Sequence, residues 1–347
     1  MSSIQARKKE HLRIVAEEDV QFRTTTGFER WHFIHNAMPE IDLKDVDTRC
    51  EFLGYKINQP FMIAAIGGGE SHGLELNRDL AQVANAARIP LVLGSMRILL
   101  EDSAVLPSFK IARQLAPDIP IIANLGAAQL NDNLDSRKVL RAIQDIGADA
   151  LSIHLNPLQE ALQPEGEPSF RNVSHALEIL KETLPVPLIV KEVGCGLSLD
   201  VLKRLYKIGI KWVDIAGAGG TSWAKVEYHR ILEAGAKQLA TEFFEWGIPT
   251  AEALTAATQL KDLHLIATGG IDSGLKYAKA IALGAELAGA AAPFVAAWRK
   301  KGKEGIAELL DHYQRTLQMV MFLTGCAKLK KFRGNAAIIQ PQNYQNI

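Results

Sequence analysis

Cysteine is scarce in this chain, with Cys50, Cys195 and Cys326 the three among 347 residues. An odd number of widely spaced cysteines makes neither a disulfide framework nor a zinc-binding pattern. Charge of one sign is not in excess either, because 39 basic side chains balance 39 acidic ones. This balance gives no reason to expect a nucleic acid or a membrane surface as the partner.

Long apolar runs are missing as well. The stretch from Ala278 to Ala292 is rich in alanine and glycine, but Lys279 and Glu286 interrupt it. It is too short and too polar to cross a bilayer. The basic start at Arg7-Lys8-Lys9 has no apolar core behind it, as a secretory signal would have. We therefore expect a soluble, cytoplasmic protein without a membrane or nucleic-acid partner.

Short apolar runs recur along the chain, separated by amphipathic segments such as Leu74 to Ala87 and Val201 to Tyr206. The runs are apolar throughout rather than alternating, which is typical of strands covered on both faces. They lie at residues 61–64, 91–93, 120–123, 151–153, 187–190, 212–215, 265–267 and 287–290. Eight such β/α units predict an α/β fold, the (β/α)₈ TIM barrel. A doubly wound open sheet is the alternative, but the G-x-G-x-x-G that would close its first strand is absent.

Two segments break the repeating pattern. Residues 1–50 precede the first predicted strand and form an N-terminal arm. The connection from Gly217 to Leu263, after strand 6, is much longer than its neighbours, and such connections are often lids or binding loops. We predict a single domain over residues 1–347, with the arm at 1–50 and the barrel at 51–347.

The segment His154 to Glu160 carries the clearest chemical signal. It follows the fourth predicted strand, and ligands bind at the carboxyl ends of barrel strands. A histidine, two carboxamides and a carboxylate there could orient a substrate and hold a hard cation. A structural alternative stays open: Asn156 as a helix cap, Pro157 as the first helical residue and Gln159 as the return partner of a capping box.

Glycine and alanine follow the last two predicted strands, in Gly269-Gly270 and in Gly289-Ala290-Ala291. Glycine lets backbone N–H groups approach an anion, and a helix N-terminus adds its positive end. Barrels often bind a phosphate with these two loops, although a lone Gly-Gly could simply turn the chain. The double pattern favours a phosphate site, and flavin mononucleotide (FMN) is the obvious bulky cofactor for it.

Longer strings point to a family. The most distinctive are His-Leu-Asn-Pro-Leu-Gln-Glu at 154–160 and Gly-Gly-Thr-Ser-Trp at 219–223. Others are Arg7-Lys8 with His11, Glu227, and the stretches 94–97, 123–126, 163–166, 190–194, 246–250, 269–271 and 278–285. Across nearly its whole length the chain resembles the type 2 isopentenyl-diphosphate isomerases, FMN-dependent barrels that interconvert isopentenyl and dimethylallyl diphosphate in isoprenoid biosynthesis.

The resemblance implies a role for individual residues. Gln159, Glu227 and Lys191 would be catalytic, and Glu160 would bind Mg²⁺ together with the substrate diphosphate. Lys191 would stabilise an anionic reduced flavin, unless it forms a structural ion pair with Glu192 or Asp214. The substrate would be bound by Arg7, Lys8, His11, Ser95, Arg97, His154, Asn156 and Gln159. FMN would contact Ala65, Ile66, Gly67, Ser95, Asn124, Lys191, Thr221, Gly269, Gly270, Asp272, Ala290 and Ala291.

The resemblance also implies how the cofactors and subunits are used. Reduced FMN would take part in the proton exchange, while NADPH would only keep the flavin reduced. A homo-oligomer, either a tetramer or an octamer, is the expected assembly.

Three positions depart from the family pattern. Ile66 replaces the threonine of Met-Thr-Gly-Gly, Met96 replaces the glutamine of Gly-Ser-Gln-Arg, and Asp272 stands where many members have arginine. These changes leave open an FMN-binding barrel that has lost isomerase activity. Another FMN-dependent oxidoreductase, such as a 2-hydroxy-acid oxidase, is a further alternative, but the His-Gly-x-Arg-Gln motif of such enzymes is absent.

Overall fold

A computed structural model describes residues 3–66, 71–130 and 135–342 of the chain. Its strands are β1 (Trp31–Phe33), β2 (Cys50–Phe52), β3 (Tyr55–Ile57), β4 (Phe61–Ile66), β5 (Leu91–Leu93), β6 (Ile121–Gly126), β7 (Ala150–His154), β8 (Leu188–Lys191), β9 (Trp212–Asp214), β10 (His264–Ala267), β11 (Leu287–Ala290) and β12 (Ile339–Pro341).

Strands β4 to β11 pair in parallel and close into a barrel of eight, with β11 next to β4. Every predicted strand falls on one of them, so the predicted (β/α)₈ barrel is confirmed. The apolar runs form these strands because both of their faces are covered. All six residues of β6 are buried, for example, by the barrel interior on one side and the helices on the other.

The helices follow the strands around the outside of the barrel. They are α1 (Ser3–Glu17), α2 (Ser71–Ala87), α3 (Arg97–Glu101), α4 (Leu106–Leu115), α5 (Ser136–Ile146), α6 (Pro157–Leu162), α7 (Val173–Thr183), α8 (Leu199–Lys207), α9 (Trp223–Arg230), α10 (Ala234–Thr241), α11 (Thr250–Ala257), α12 (Gly274–Ala282), α13 (Ala292–Leu323) and α14 (Leu329–Phe332). Helix α13 is interrupted by non-helical backbone at Lys301 and Gly302. The long connection after β9 folds into α9, α10 and α11. None of the helices in the described ranges has the length and apolar character needed to cross a membrane.

The amino end of the barrel is closed by the antiparallel hairpin of β2 and β3. Its Phe52 and Ile57 are buried on the apolar inner layer of the barrel. The Phe52 ring meets the edge of Trp212 with centroids 5.0 Å apart. The layer consists of Met62, Val92, Ile122, Ala150, Ile189, Ile266 and Leu287. This end is filled by side chains and leaves the opposite end for a ligand.

The N-terminal arm lies on the opposite, carboxyl end of its own barrel. Helix α1 packs Ile14 against Val226 of α9, with Trp223 beside them. Backbone hydrogen bonds join the next residues to the loop after β9, since Ser222 donates to the Val20 carbonyl at 2.8 Å. Further along, β1 pairs with β12 in a separate two-stranded sheet. The arm therefore forms one wall of the carboxyl end.

Candidate active site at the carboxyl end of the barrel

Polar side chains replace the apolar layer at the carboxyl end. Side chains in a strand alternate between its two faces, so the residue two positions after an inward-facing one also points inward. Ile122 is thus followed by Asn124 and Ile189 by Lys191. The buried or partly buried polar residues at this end are Asn124, Ser152, His154, Lys191, Asp214 and Thr268.

His154 ends β7 among two cations and an amide. Its Nδ1 lies 3.0 Å from Oδ1 of Asn124. Burial, reinforced by the positive charges of Lys191 and Lys8, lowers the pKa of His154 to about 3. The imidazole is therefore neutral at physiological pH, and it serves as a hydrogen-bonding group rather than as a charge.

Lys191 ends β8 and is 8% exposed. Its Nζ donates to the backbone carbonyl of Glu192, and the described residues hold no direct ion pair between Lys191 and either Glu192 or Asp214. Burial lowers the pKa of Lys191, although the charges of Asp214 and Glu192 oppose that shift. Lys191 thus interacts with both carboxylates through their charges, without a direct ion pair to either among the described residues.

Glu192 and Asp214 are held by other groups. Burial raises the pKa of Glu192 to about 7, against the backbone amides of Val193, Gly194 and Cys195, which donate to its Oε2. Burial also raises the pKa of Asp214. Two buried acids that resist ionisation therefore stand beside Lys191.

The segment from His154 to Glu160 folds partly as the capping alternative predicts. Asn156 occupies the N-cap position and Pro157 begins α6, but the Asn156 side chain does not cap the helix backbone. Its Nδ2 instead donates to Oε1 of Gln159 and to Oε1 of Glu160, both at 3.1 Å. The prediction of a capping box is therefore wrong. The side chains of Asn156 and Gln159 hydrogen-bond to each other rather than to the backbone at the start of α6.

A buried cluster forms where α6 meets α9 and α1. Gln159 Nε2 donates to Oε1 of Glu227 at 3.0 Å, and His11 Nε2 lies 2.9 Å from the same oxygen. Glu227 is fully buried. Burial by itself would raise the pKa of Glu227, but His11, Gln159 and Arg230 outweigh it and lower that pKa. The result is an ionised carboxylate in a dry setting, suited to holding or moving a proton.

Cations gather beside this cluster. Lys8 Nζ donates to the backbone carbonyl of Ser95 at 2.7 Å. Burial lowers the pKa of Arg7, and the nearby charge of Arg97 lowers it further. Arg97 itself donates to Glu167 at 2.7 Å. Placing like charges close together costs free energy, and a polyanion between them would remove that cost.

Glu160 is buried, and both of its oxygens are in use. Oε1 accepts from Asn156, and Oε2 accepts from the Glu167 backbone amide at 2.8 Å. Within the described ranges, no three His, Cys, Asp or Glu side chains form a metal-binding group. Glu160 is thus a single carboxylate, which fits Mg²⁺ only when phosphate oxygens complete the coordination.

Glycine packs the loops after β9 and β10 against each other. A Cβ on Gly270 would lie 2.4 Å from the carbonyl oxygen of Gly219, and the φ of Gly270 is +69°. The amides of Gly219, Gly220, Gly269 and Gly270 donate to no other residue that the structure describes. Free amides at such a turn fit a phosphate. The turn-forming role of Gly-Gly and the predicted phosphate site are therefore compatible.

The other residues predicted to bind FMN fall into three groups. Ala65 and Ile66 end β4, while Gly67 lies outside the described residues. Thr221 lies in the loop between β9 and α9, Ala290 is the last residue of β11, and Ala291 is the residue before α13. Asp272 forms an ion pair with Lys276 at 2.8 Å, so its carboxylate is already engaged.

Met96 belongs to the hydrophobic core and is fully buried. Its side chain is therefore absent from the polar layer. Arg230 is a site residue that sequence reasoning missed. It lies three positions after Glu227 on α9, and that helical spacing alone could have suggested an ion pair.

Comparison with known sequences identifies the family. The Nostoc isopentenyl-diphosphate delta-isomerase is 42% identical over 336 residues, which cover 96% of this chain and 95% of the relative. The chain belongs to the isopentenyl-diphosphate delta-isomerase family. The Synechocystis member is 44% identical, with 95% and 94% of the two chains covered, and the Thermococcus onnurineus member is 40% identical, with 94% and 89% covered. The predicted family is thereby confirmed.

The FMN-dependent dehydrogenase family model also matches, at residues 3–155 and 128–339, and supports FMN as the cofactor. Solved structures support the fold. A flavocytochrome b2 mutant superposes with a TM-score of 0.68 at 16% identity, covering 95% of this chain and 82% of that one. A mandelate oxidase mutant gives 0.64 at 18% identity, covering 93% of each chain. At such low sequence identity, these similarities support the barrel fold of the chain and nothing about its activity.

Proposed function

We propose that this chain is an FMN-dependent isomerase that interconverts isopentenyl diphosphate and dimethylallyl diphosphate in isoprenoid biosynthesis. The observation that carries the proposal is the buried Gln159–Glu227–His11 cluster next to Arg7 and Arg97. It places a proton-handling group beside an anion site, as a prenyl diphosphate requires. The identity to named isomerases supports the same activity.

The reaction moves a double bond by one carbon, so one carbon gains a proton and another loses one. Reduced FMN supplies the proton exchange with the alkene when it is bound. The ionised carboxylate of Glu227 takes up and returns the exchanging proton, and Gln159 orients that carboxylate by donating to its Oε1 at 3.0 Å. The buried setting of Glu227 keeps water away from the reacting carbons.

Lys191 would place a cation beside bound FMN and would stabilise its anionic reduced form. The amides of Gly269 and Gly270 would hold the FMN phosphate, and their lack of an acceptor within the described residues supports this assignment. Ala65, Ile66, Gly67, Ser95, Asn124, Thr221, Ala290 and Ala291 complete the proposed FMN site. Asp272 also belongs to that predicted set, but its ion pair with Lys276 weighs against a direct contact.

The diphosphate binds Arg7, Lys8, Ser95, Arg97, His154 and Asn156, with His11 and Gln159 nearer the alkene. Glu160 would hold Mg²⁺, which would supply positive charge to the diphosphate. The proposal also includes NADPH as the reductant and a cytoplasmic location. The assembly is a tetramer or an octamer, and each chain is a single domain with residues 1–50 as its arm. Their support is the family resemblance and the composition of the chain.

An anaerobic assay tests the activity. Purified protein is mixed with FMN, dithionite, Mg²⁺ and isopentenyl diphosphate, and we expect dimethylallyl diphosphate to form. FMN binding without conversion would instead support a barrel that has lost isomerase activity. Oxidation of mandelate in air by the same preparation would support the oxidoreductase alternative.

The metal assignment has its own test. Glu160→Gln removes one negative charge from the proposed Mg²⁺ site while keeping the amide acceptor for the Glu167 N–H. We expect the Mg²⁺ dependence of substrate binding to be lost while FMN binding persists. Glu182→Gln, at an exposed position on α7, is the matched control. Turnover by Glu160→Gln with an unchanged Mg²⁺ requirement contradicts the assignment.

A further inference from the structure

Arg230 joins three separate segments of the chain. Its Nη1 donates to Oε2 of Glu227 at 2.8 Å, its Nη2 to Oε1 of Glu165 at 2.6 Å, and its Nε to Oε2 of Glu10 at 3.0 Å. Each guanidinium nitrogen thus serves a different carboxylate. The partners belong to α9, to the segment after α6 and to α1, so this one side chain links all three.

The geometry divides the Glu227 carboxylate between two tasks. Oε2 is bound by Arg230, while Oε1 faces Gln159 and His11. A planar guanidinium fixes the direction of its acceptors more tightly than an ammonium does. The contact with Arg230 therefore sets the orientation in which Oε1 is presented to the site.

Arg230 is almost completely enclosed, with its side chain 4% exposed, whereas the side chains of Glu10 and Glu165 are 42% and 48% exposed. A buried guanidinium needs its partners, because an unpaired buried charge is very costly. Glu10 and Glu165 lie at the solvent side and hold α1 and the 163–167 segment against that charge. None of the three carboxylates bound by Arg230 belongs to a residue predicted to contact FMN.

We propose that Arg230 is a positioning residue for the isomerase: it fixes Glu227 for proton handling and seats α1, with Arg7 and Lys8, over the site. This inference rests on the proposed function for its kinetic part. Its anchoring part concerns the fold of this chain and can be measured without substrate.

The charges around Glu227 give the direction of the pH effect. His11 faces it from α1, Arg230 from its own helix, and the uncharged Gln159 from α6. Glu10 and Glu165 pair with the other side of Arg230, and the charge of Arg7 interacts with those of Arg230 and Glu165. The Arg230 contact lowers the pKa of Glu227, whereas burial raises it. Loss of the contact therefore raises this pKa, and Glu227 becomes protonated at a higher pH as the pH is lowered.

Two variants at Arg230 and one at Glu10 test the proposal. Arg230→Lys keeps the charge but places all its donors on one nitrogen, which cannot replace the separate Nε, Nη1 and Nη2 contacts with the three carboxylates. Arg230→Gln removes the charge. We expect kcat to fall about 100-fold in Arg230→Lys, with the acid limb of the pH–kcat profile displaced to higher pH. Glu10→Gln should act mainly on KM, raising it about threefold, because it loosens only α1.

Hydrogen exchange supplies the readout that needs no activity. We expect the amides of residues 3–17 to exchange faster in Arg230→Gln and Glu10→Gln than in the parent protein. Arg141→Gln and Arg141→Lys are the controls, since the Arg141 side chain is 85% exposed on α5, and both should match the parent.

The outcomes separate the two proposals. An unchanged pH–kcat profile in both Arg230 variants, or unchanged exchange of residues 3–17, overturns the positioning role. If the parent protein does not convert isopentenyl diphosphate, the proposed function fails. In that case, faster amide exchange of residues 3–17 in the variants still supports the anchoring of α1 by Arg230. Unchanged exchange contradicts the anchoring as well.

Discussion

At the amino end of the barrel, Phe52 and Ile57 press on an inner layer of apolar side chains, while the carboxyl end of the same strands carries polar groups such as Asn124 and Lys191. The carboxyl end also holds buried polar atoms that lack a hydrogen-bond partner within the part of the chain that the structure describes. Ser152 Oγ and Asp214 Oδ2 are buried without a hydrogen-bond partner in the described ranges. A buried unsatisfied polar group costs about 1–3 kcal/mol.

This contrast separates stability from chemistry within one barrel. The closed end contributes hydrophobic burial, and that burial offsets the cost of a polar, charged and incompletely bonded end. Substitutions at the closed end should therefore change the free energy of unfolding, whereas substitutions at the open end should change turnover. The expectations below test that division, from the largest effect to the smallest.

The strongest test at the open end is Glu227→Gln. The amide keeps the shape of the side chain but cannot take up a proton, so we expect kcat to fall about 1000-fold. FMN absorbance of the purified variant serves as the control for cofactor binding. A variant that keeps kcat within tenfold of the parent would remove Glu227 from the proton-handling group.

The matching test at the closed end is Phe52→Ala. It deletes a ring that is 2% exposed and packed on Trp212, so the free energy of unfolding should fall by about 3 kcal/mol. Urea unfolding measures that change. At a temperature where the variant is folded, kcat should stay within about twofold of the parent, since the ring lies at the opposite end from the site. A large loss of kcat in the fully folded variant would show that packing at the amino end of the barrel affects turnover at the carboxyl end.

The pH dependence of stability offers a finer test through His154. Its pKa is lowered from 6.5 to about 3 in the folded protein, so between these values the unfolded chain binds the extra proton. Stability must therefore fall as the pH decreases below 6.5, by about 1 kcal/mol per pH unit. His154→Gln cannot titrate, and its urea midpoint should fall less between pH 7 and pH 5 than that of the parent. Parallel midpoints in both proteins would show that folding does not lower the pKa of His154.

The smallest effect is expected at Asp272. Its ion pair with Lys276 is exposed, and such pairs contribute about 0–1 kcal/mol. Asp272→Arg, which restores the residue found in many family members, should leave the urea midpoint nearly unchanged and strengthen FMN binding only a few-fold. Fluorescence titration with FMN measures the affinity. A loss of FMN affinity would place the Asp272 carboxylate in a role that its ion pair does not explain.

Much of the barrel could be predicted from the sequence, because each strand is a local apolar run with a polar or glycine end. The same locality explains the contacts among Asn156, Gln159 and Glu160, which lie within one turn of a helix. The hairpin of β2 and β3 and the pairing of β1 with β12 were not predicted. The second of these joins Trp31 to Pro341, and no local pattern encodes such a distant partner.

Side-chain direction also limited the prediction of the site. Met96 and Arg97 are neighbours, yet one enters the core and the other joins Glu167. Arg230 was missed because two of its three partners, Glu10 and Glu165, come from distant parts of the chain. A pattern of residue types does not show which charges will meet, whereas the closed barrel brings these three segments together.

The pairing of β1 with β12 has a practical meaning for anyone handling the protein. Gln342 donates a backbone hydrogen bond to the Arg30 carbonyl at 2.6 Å, so the last described residues hold the base of the arm that carries Arg7 and Lys8. A purification tag fused just after β12, or a protease that trims it, would disturb the backbone pairing that fixes the base of the arm.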